Sequence, residues 1–265
     1  MLFNLFAPKP PLDVASAEWI FQVFAWALRN VDAGYFGNRT ILVNPTNEHF
    51  PGRADSVHGM AELIFRATVG YAGMTHWPLR LLEPGHHLPT TAPKVQLPDP
   101  LRTTHEATQT LSTVATTIPI AYDPALIGNP EAFIAGLAQN LAHYLGSAAG
   151  EMAPGGLQNW PQATEALAVF MGFGLIFANT AFSFQARSCG SCGGPSAQRQ
   201  AFLSQYDVTY ALALFCVLKE IPSRETLRHL KKSLRSYFKR CVQDINARQE
   251  DLTKLRAISV ERVVN

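Results

Sequence analysis

Apolar residues recur at helical spacing along most of this chain. Over 15–31, Trp19, Ile20, Val23, Phe24, Ala27, Leu28 and Val31 make one wide stripe, which predicts an amphipathic helix that stops at Gly34. A second helix is predicted from a Ser56 cap to about Tyr71, with Met60, Leu63, Ile64 and Ala67 inward. A third is predicted over 131–145. Asn129 can cap it, Pro130 sits in its first turn where a missing N–H costs nothing, and Gly146 fits its stop. A fourth starts near Pro161, and over 166–182 it is apolar nearly all round, as a helix buried on every side would be. A fifth, over 205–218, has the same character. Ser223 opens a long final helix over 223–250, with Leu227, Leu230, Leu234, Tyr237, Phe238 and Ile245 inward. Short strands are predicted at 40–43, 77–82 and 118–122. Residues 84–116, rich in Pro and Thr, read as a long loop excursion. The pattern describes one α+β domain over 1–265, predominantly helical, with a small sheet packed on several buried helices.

Composition narrows the function more than it names one. With 47% hydrophobic and 16% charged residues, the 265-residue chain fills a core and is not disordered. A net charge of +2 carries no strong electrostatic partner signal. The apolar run over 166–182 falls short of the roughly 20 residues that span a bilayer and contains Asn179 and Thr180, so it reads as a buried helix, not a membrane span. No secretory signal is evident, and a soluble cytoplasmic protein is the expectation. Four cysteines, Cys189, Cys192, Cys216 and Cys241, do not make a disulfide framework in a chain of this size. Cys189 and Cys192 lie in a Gly/Ser-rich loop without a second closely spaced pair to complete a zinc site.

The residues that carry chemistry lie on the predicted 131–145 helix, which contains Gln139-Asn140-Leu141-Ala142-His143. Two His at i and i+4 share a helix face and grip one metal, and a Glu beside the first serves as base for the metal-bound water; that is the H-E-x-x-H pattern. Here His143 holds the second His position, Gln139 stands in place of the first, and Asn140 in place of the Glu. An amide oxygen is a poor zinc ligand beside imidazole, and Asn has no proton to exchange. Glu165, on the next helix, occupies a place where a third ligand commonly stands.

The surroundings resemble a family of bacterial zincin-like proteins whose core reads T-L-A-H-E-L-A-H-Y, followed by a Pro-rich loop and A-T-D-L-A-A-V-F-L-G-F-G-I-F-x-A-N-S-A-F. This chain has GLAQNLAHY over 136–144 and ATEALAVFMGFGLIFANTAF over 163–182. Its LSQYDVTYALALF over 203–215 and VNPTNEHFP over 43–51 are similar to two further stretches of that family. The resemblance covers roughly residues 15–240 and implies a zincin-like core with a substrate cleft along the 118–122 strand. It departs at Gln139 and Asn140. A degenerate member without hydrolytic power is therefore expected, acting as an inhibitor, immunity or regulatory protein that binds another protein or a peptide. No cofactor is expected.

Two alternatives stay open. A metal-dependent hydrolase with altered ligands would join His143 and Glu165 to His86, His87 or His105 around zinc. A phosphate- or nucleic-acid-binding protein would use the basic face of Arg228, Lys231, Lys232, Arg235 and Lys239 on the final helix, although no base-reading motif accompanies it. No phosphate loop or nucleophile elbow is present, and Gly172-Phe173-Gly174 is better explained by close helix packing. His58 and His76 read as isolated.

Overall fold

The computed structural model describes residues 9–84, 100–103, 117–185 and 201–261. Helix α1 (Val14–Ala27) begins where the Asp13 carboxylate accepts the Ser16 amide at 2.9 Å, filling one of the donors that a helix start leaves open. Gly34 does not end this run. A π turn over Leu28–Asp32 carries it on, and the Asp32 carboxylate then accepts Tyr35 N–H at 2.8 Å to open α2 (Ala33–Asn38). A side chain able to cap outweighs a glycine that merely permits a stop.

Residues 40–43 form no strand. Val43 N–H donates at 2.9 Å to the carbonyl of Gly172, far along the chain, so the backbone is satisfied by a helix kink and not by a ladder. Helix α3 (Val57–Ala72) starts at the expected Ser56 cap and ends at Gly73, left-handed at φ 71°. Strands β1 (Leu79–Leu81) and β2 (Ile118–Ile120) pair in parallel, Leu79 opposite Ile118 and Leu81 opposite Ile120, inside the predicted 77–82 and 118–122 windows. Helix α4 (Pro130–Ser147) begins with Asn129 capping Ala132 N–H at 3.3 Å. Gly146, expected as its stop, lies inside it, because a Cβ there would strike Trp160 and Leu167 of the next helix.

The centre of the molecule is one long apolar run in two pieces. Helix α5 (Trp160–Ala168) passes through a turn at Val169–Phe173 into α6 (Gly174–Gln185). The run Gly156–Ala181 is long and apolar enough to cross a membrane, and its most apolar window is 100% buried by the other helices. Helix α7 (Gln205–Leu218) packs along α6, and α4 lies against both α5 and α6. A capping box between Ser204 and Asp207 starts α7. Phe170, inside the turn, stacks on Phe36 at 4.4 Å and meets Phe24 edge-on at 5.6 Å, which joins α1 and α2 to the core.

The predicted 223–250 helix is broken into α8 (Ser223–His229) and α9 (Lys232–Ala247), and a further helix, α10 (Gln249–Glu261), starts at its end. Leu230 is extended at ψ 138°. Asn179 of α6 holds the break from both sides, donating to His229 O at 3.1 Å and accepting Lys231 N–H at 3.0 Å. A buried amide that needs partners finds them in backbone groups that a continuous helix would have used itself.

Candidate functional site

Helices α4 and α5 bring the degenerate motif against Trp160. Gln139 and Asn140 are half-buried and His143 is exposed at its surface. The Gln139 Oε1 atom is buried without a hydrogen-bond partner among the described residues. Trp160 Nε1 donates to His143 Nδ1 at 3.2 Å, and the two rings meet edge-on at 5.8 Å, with Tyr144 at 5.8 Å from the imidazole as well.

That one contact decides what the imidazole can do. Indole N–H only donates, so Nδ1 contributes its lone pair to it. The neutral ring then carries its proton on Nε2, leaving no nitrogen lone pair for a metal. Metal-bound histidines show the opposite arrangement, with the second ring nitrogen donating to an acceptor. Partial burial holds the His143 pKa below its ordinary value, which favours this neutral form.

Glu165 is 0% exposed, and its Oε2 accepts Leu203 N–H at 2.8 Å. Leu203 precedes the Ser204 cap, so this carboxylate ties α5 to the start of α7. Among the described residues, no group of three or more His, Cys, Asp or Glu side chains stands close enough to hold a metal ion. The residues that the altered-ligand alternative would place around zinc are otherwise engaged: the His143 Nδ1 lone pair accepts the Trp160 indole, and a Glu165 oxygen accepts a backbone amide, while Asn140 has no basic group. His86, His87, His105, Cys189 and Cys192 lie outside the described residues.

The other sequence candidates have local partners. His58 is not isolated; its Nδ1 stands 3.1 Å from the Tyr122 hydroxyl, and Nε2 is 3.9 Å from Glu62. His76 Nε2 stands 2.9 Å from Pro100 O. Cys216 and Cys241 are buried free thiols whose pKa values burial pushes up to about 12, the reverse of what a nucleophile needs. Arg228, Lys231, Lys232 and Lys239 are exposed, but they do not share one helix face, because the chain breaks at Leu230. Arg235 donates to Leu230 O at 2.9 Å and Arg228 O at 3.3 Å, closing the C-terminal carbonyls of α8.

No family model, no curated protein and no solved structure matches this chain.

The loop after α4 is the feature of the site that sequence reasoning missed. Trp26 Nε1 donates to Glu151 O at 2.8 Å and Trp19 Nε1 to Pro154 O at 3.1 Å, so two indoles of α1 pin it. It presents Met152 at 59% and Leu157 at 78% exposure, ahead of Trp160. Trp19 reads by spacing as a core residue, yet a donor-only indole in a half-buried position requires an acceptor, and that requirement was the available signal.

Proposed function

We propose that this chain is a catalytically inactive, zincin-like protein that works by binding another protein. The observation that carries the reading is the Trp160–His143 hydrogen bond, which takes the Nδ1 lone pair and so leaves the proton of the neutral ring on Nε2. Gln139 and Asn140 support it, since neither can replace a ligand nitrogen or a proton acceptor. The loop over 148–159 supports the binding half of the reading. Large apolar side chains held out on a pinned loop have the character of interface anchors, because their ordering is already complete before a partner arrives.

The test uses the full chain purified without chelator. We expect less than about 0.1 metal per chain after zinc is supplied, since the lone pair of the neutral imidazole is already engaged by Trp160 and metal would have to displace it. No metal-dependent peptide cleavage is expected. Cleavage that needs zinc and disappears in His143→Ala defeats the reading. A protein captured by the wild type but lost in Leu157→Asp supports the binding role, whereas equal capture by both removes this loop from it.

A further inference from the structure

Residues 100–103 lie on the end of α3 in the manner of a bound peptide. Trp77 Nε1 donates to Leu101 O at 2.8 Å, His76 Nε2 stands 2.9 Å from Pro100 O, and Thr103 N–H donates to Gly73 O at 2.9 Å. Between these backbone contacts the Arg102 side chain drops into the fold and is 1% exposed. Its Nε donates to Ala72 O at 2.8 Å, one Nη donates to Thr40 Oγ1 at 3.1 Å, and the guanidinium lies 4.3 Å from the centre of the Tyr35 ring.

The socket has the chemistry of an arginine receptor. Ala72 O belongs to the C-terminal, electronegative end of α3. Tyr35 offers a ring face to a planar cation. Gly73 has no side chain, and the Tyr35 ring occupies the space that a Cβ would take. Leu101 packs beside the socket against the core, so the docked unit is an apolar residue followed by arginine.

The fit is incomplete in one respect. Among the described residues no carboxylate pairs with Arg102, and its second Nη has no hydrogen-bond partner. Asp32 acts on it only through its field, and burial draws the Arg102 pKa down to about 10. Burying a cation with one unsatisfied Nη and no anion beside it costs hydration, and undocking of the side chain would return it.

We propose that Tyr35, Thr40, Ala72 and Gly73 form an arginine-recognition socket, filled in cis by Arg102 and open to the arginine of an extended partner segment when Arg102 withdraws. It does not rest on the reading of the α4 face. The probe is a capped Pro-Leu-Arg-Thr peptide, with Pro-Leu-Ala-Thr as control, titrated by calorimetry into full-length Arg102→Ala and into the wild type. The variant is expected to bind the arginine peptide with a Kd below about 1 mM and to ignore the control. The wild type, with its socket filled, binds neither. Failure of the variant to bind, equal binding of the control, or equal binding by the wild type overturns the proposal. If Arg102→Ala does not fold, Thr40→Val decides the matter. It removes one acceptor of the guanidinium and leaves the segment intact, and exchange of the Thr103 amide should quicken about tenfold, as loss of one charge-assisted hydrogen bond implies. Unchanged exchange overturns the proposal.

Discussion

Trp160 sets the chemistry of His143. Its indole hydrogen fixes the tautomer, and its ring, with that of Tyr144, covers part of an imidazole that stays exposed on its other side. Protonation would put a second hydrogen on Nδ1 facing the indole N–H, so the folded state binds that proton less readily than the unfolded chain. The sign follows from linkage. Stability linked to this group is complete above the ordinary value of 6.5 and falls as pH drops from there toward the lower folded-state value. Trp160→Phe keeps an apolar ring and deletes the donor. We expect the His143 pKa to rise toward 6.5 in an NMR titration, and the acid-side loss of stability to shrink. An unmoved titration would mean that Trp160 does not govern the ring. Glu165 teaches the same lesson at a buried position. A carboxylate on a helix after a His-bearing helix reads as a ligand, and here one of its oxygens accepts the Leu203 amide.

Among the elements, the turn between α5 and α6 exists because of a segment more than a hundred residues earlier. Gly172 is at φ 104°, a region that favours glycine, and a Cβ there would press into the Ile41 carbonyl. Gly172 O in turn accepts Val43 N–H. Gly172→Ala therefore meets both backbone strain and a clash with a backbone atom that has nowhere to move. A loss of about 3 kcal/mol or more is expected in urea unfolding. Gly174 differs: its missing side chain admits Val169 and Leu212, which is the close packing that the glycine pair suggests. The break between α8 and α9 has its own test. Asn179→Ala leaves His229 O and Lys231 N–H without their partner, and we expect a loss of roughly 1–3 kcal/mol with faster amide exchange at Lys231. Unchanged exchange there would show that the break is set by α8 and α9 alone.

Across the whole molecule, the last helix closes the fold onto the first. Helix α10 packs against α1 and α2, burying Leu252 and Leu255 at 1% and 3% exposure. At the junction of α9 and α10, Arg248 donates to Asp244 at 3.1 Å, and the same carboxylate accepts the buried Tyr210 hydroxyl at 2.7 Å, so α7, α9 and the start of α10 share one polar knot. A chain ending after Arg248 keeps the knot and loses both leucines. We expect it to fold and to be less stable by roughly 3–6 kcal/mol, the burial of two leucine side chains. A smaller loss in chemical denaturation would show that α10 is an appendage and not part of the core.

How much of this was legible beforehand depends on how far each controlling contact reaches along the chain. The Ser56 cap, the Asn129–Pro130 start of α4 and the run over 205–218 rest on bonds to residues three or four positions away, so local pattern reveals them. The apolar character of the 166–182 run is plain from composition, but that residues up to 181 are buried by other helices and not by lipid is decided by packing. The kink at Gly172, the fate of 40–43, the break at Leu230 and the protonation state of His143 each depend on a partner that is distant in sequence: Val43 on Gly172, Lys231 on Asn179, His143 on Trp160. A linear pattern records which groups need partners. Which partner each one meets is set by packing, and here packing set the indole of Trp160 against the ligand-like histidine and the Leu203 amide against the ligand-like glutamate.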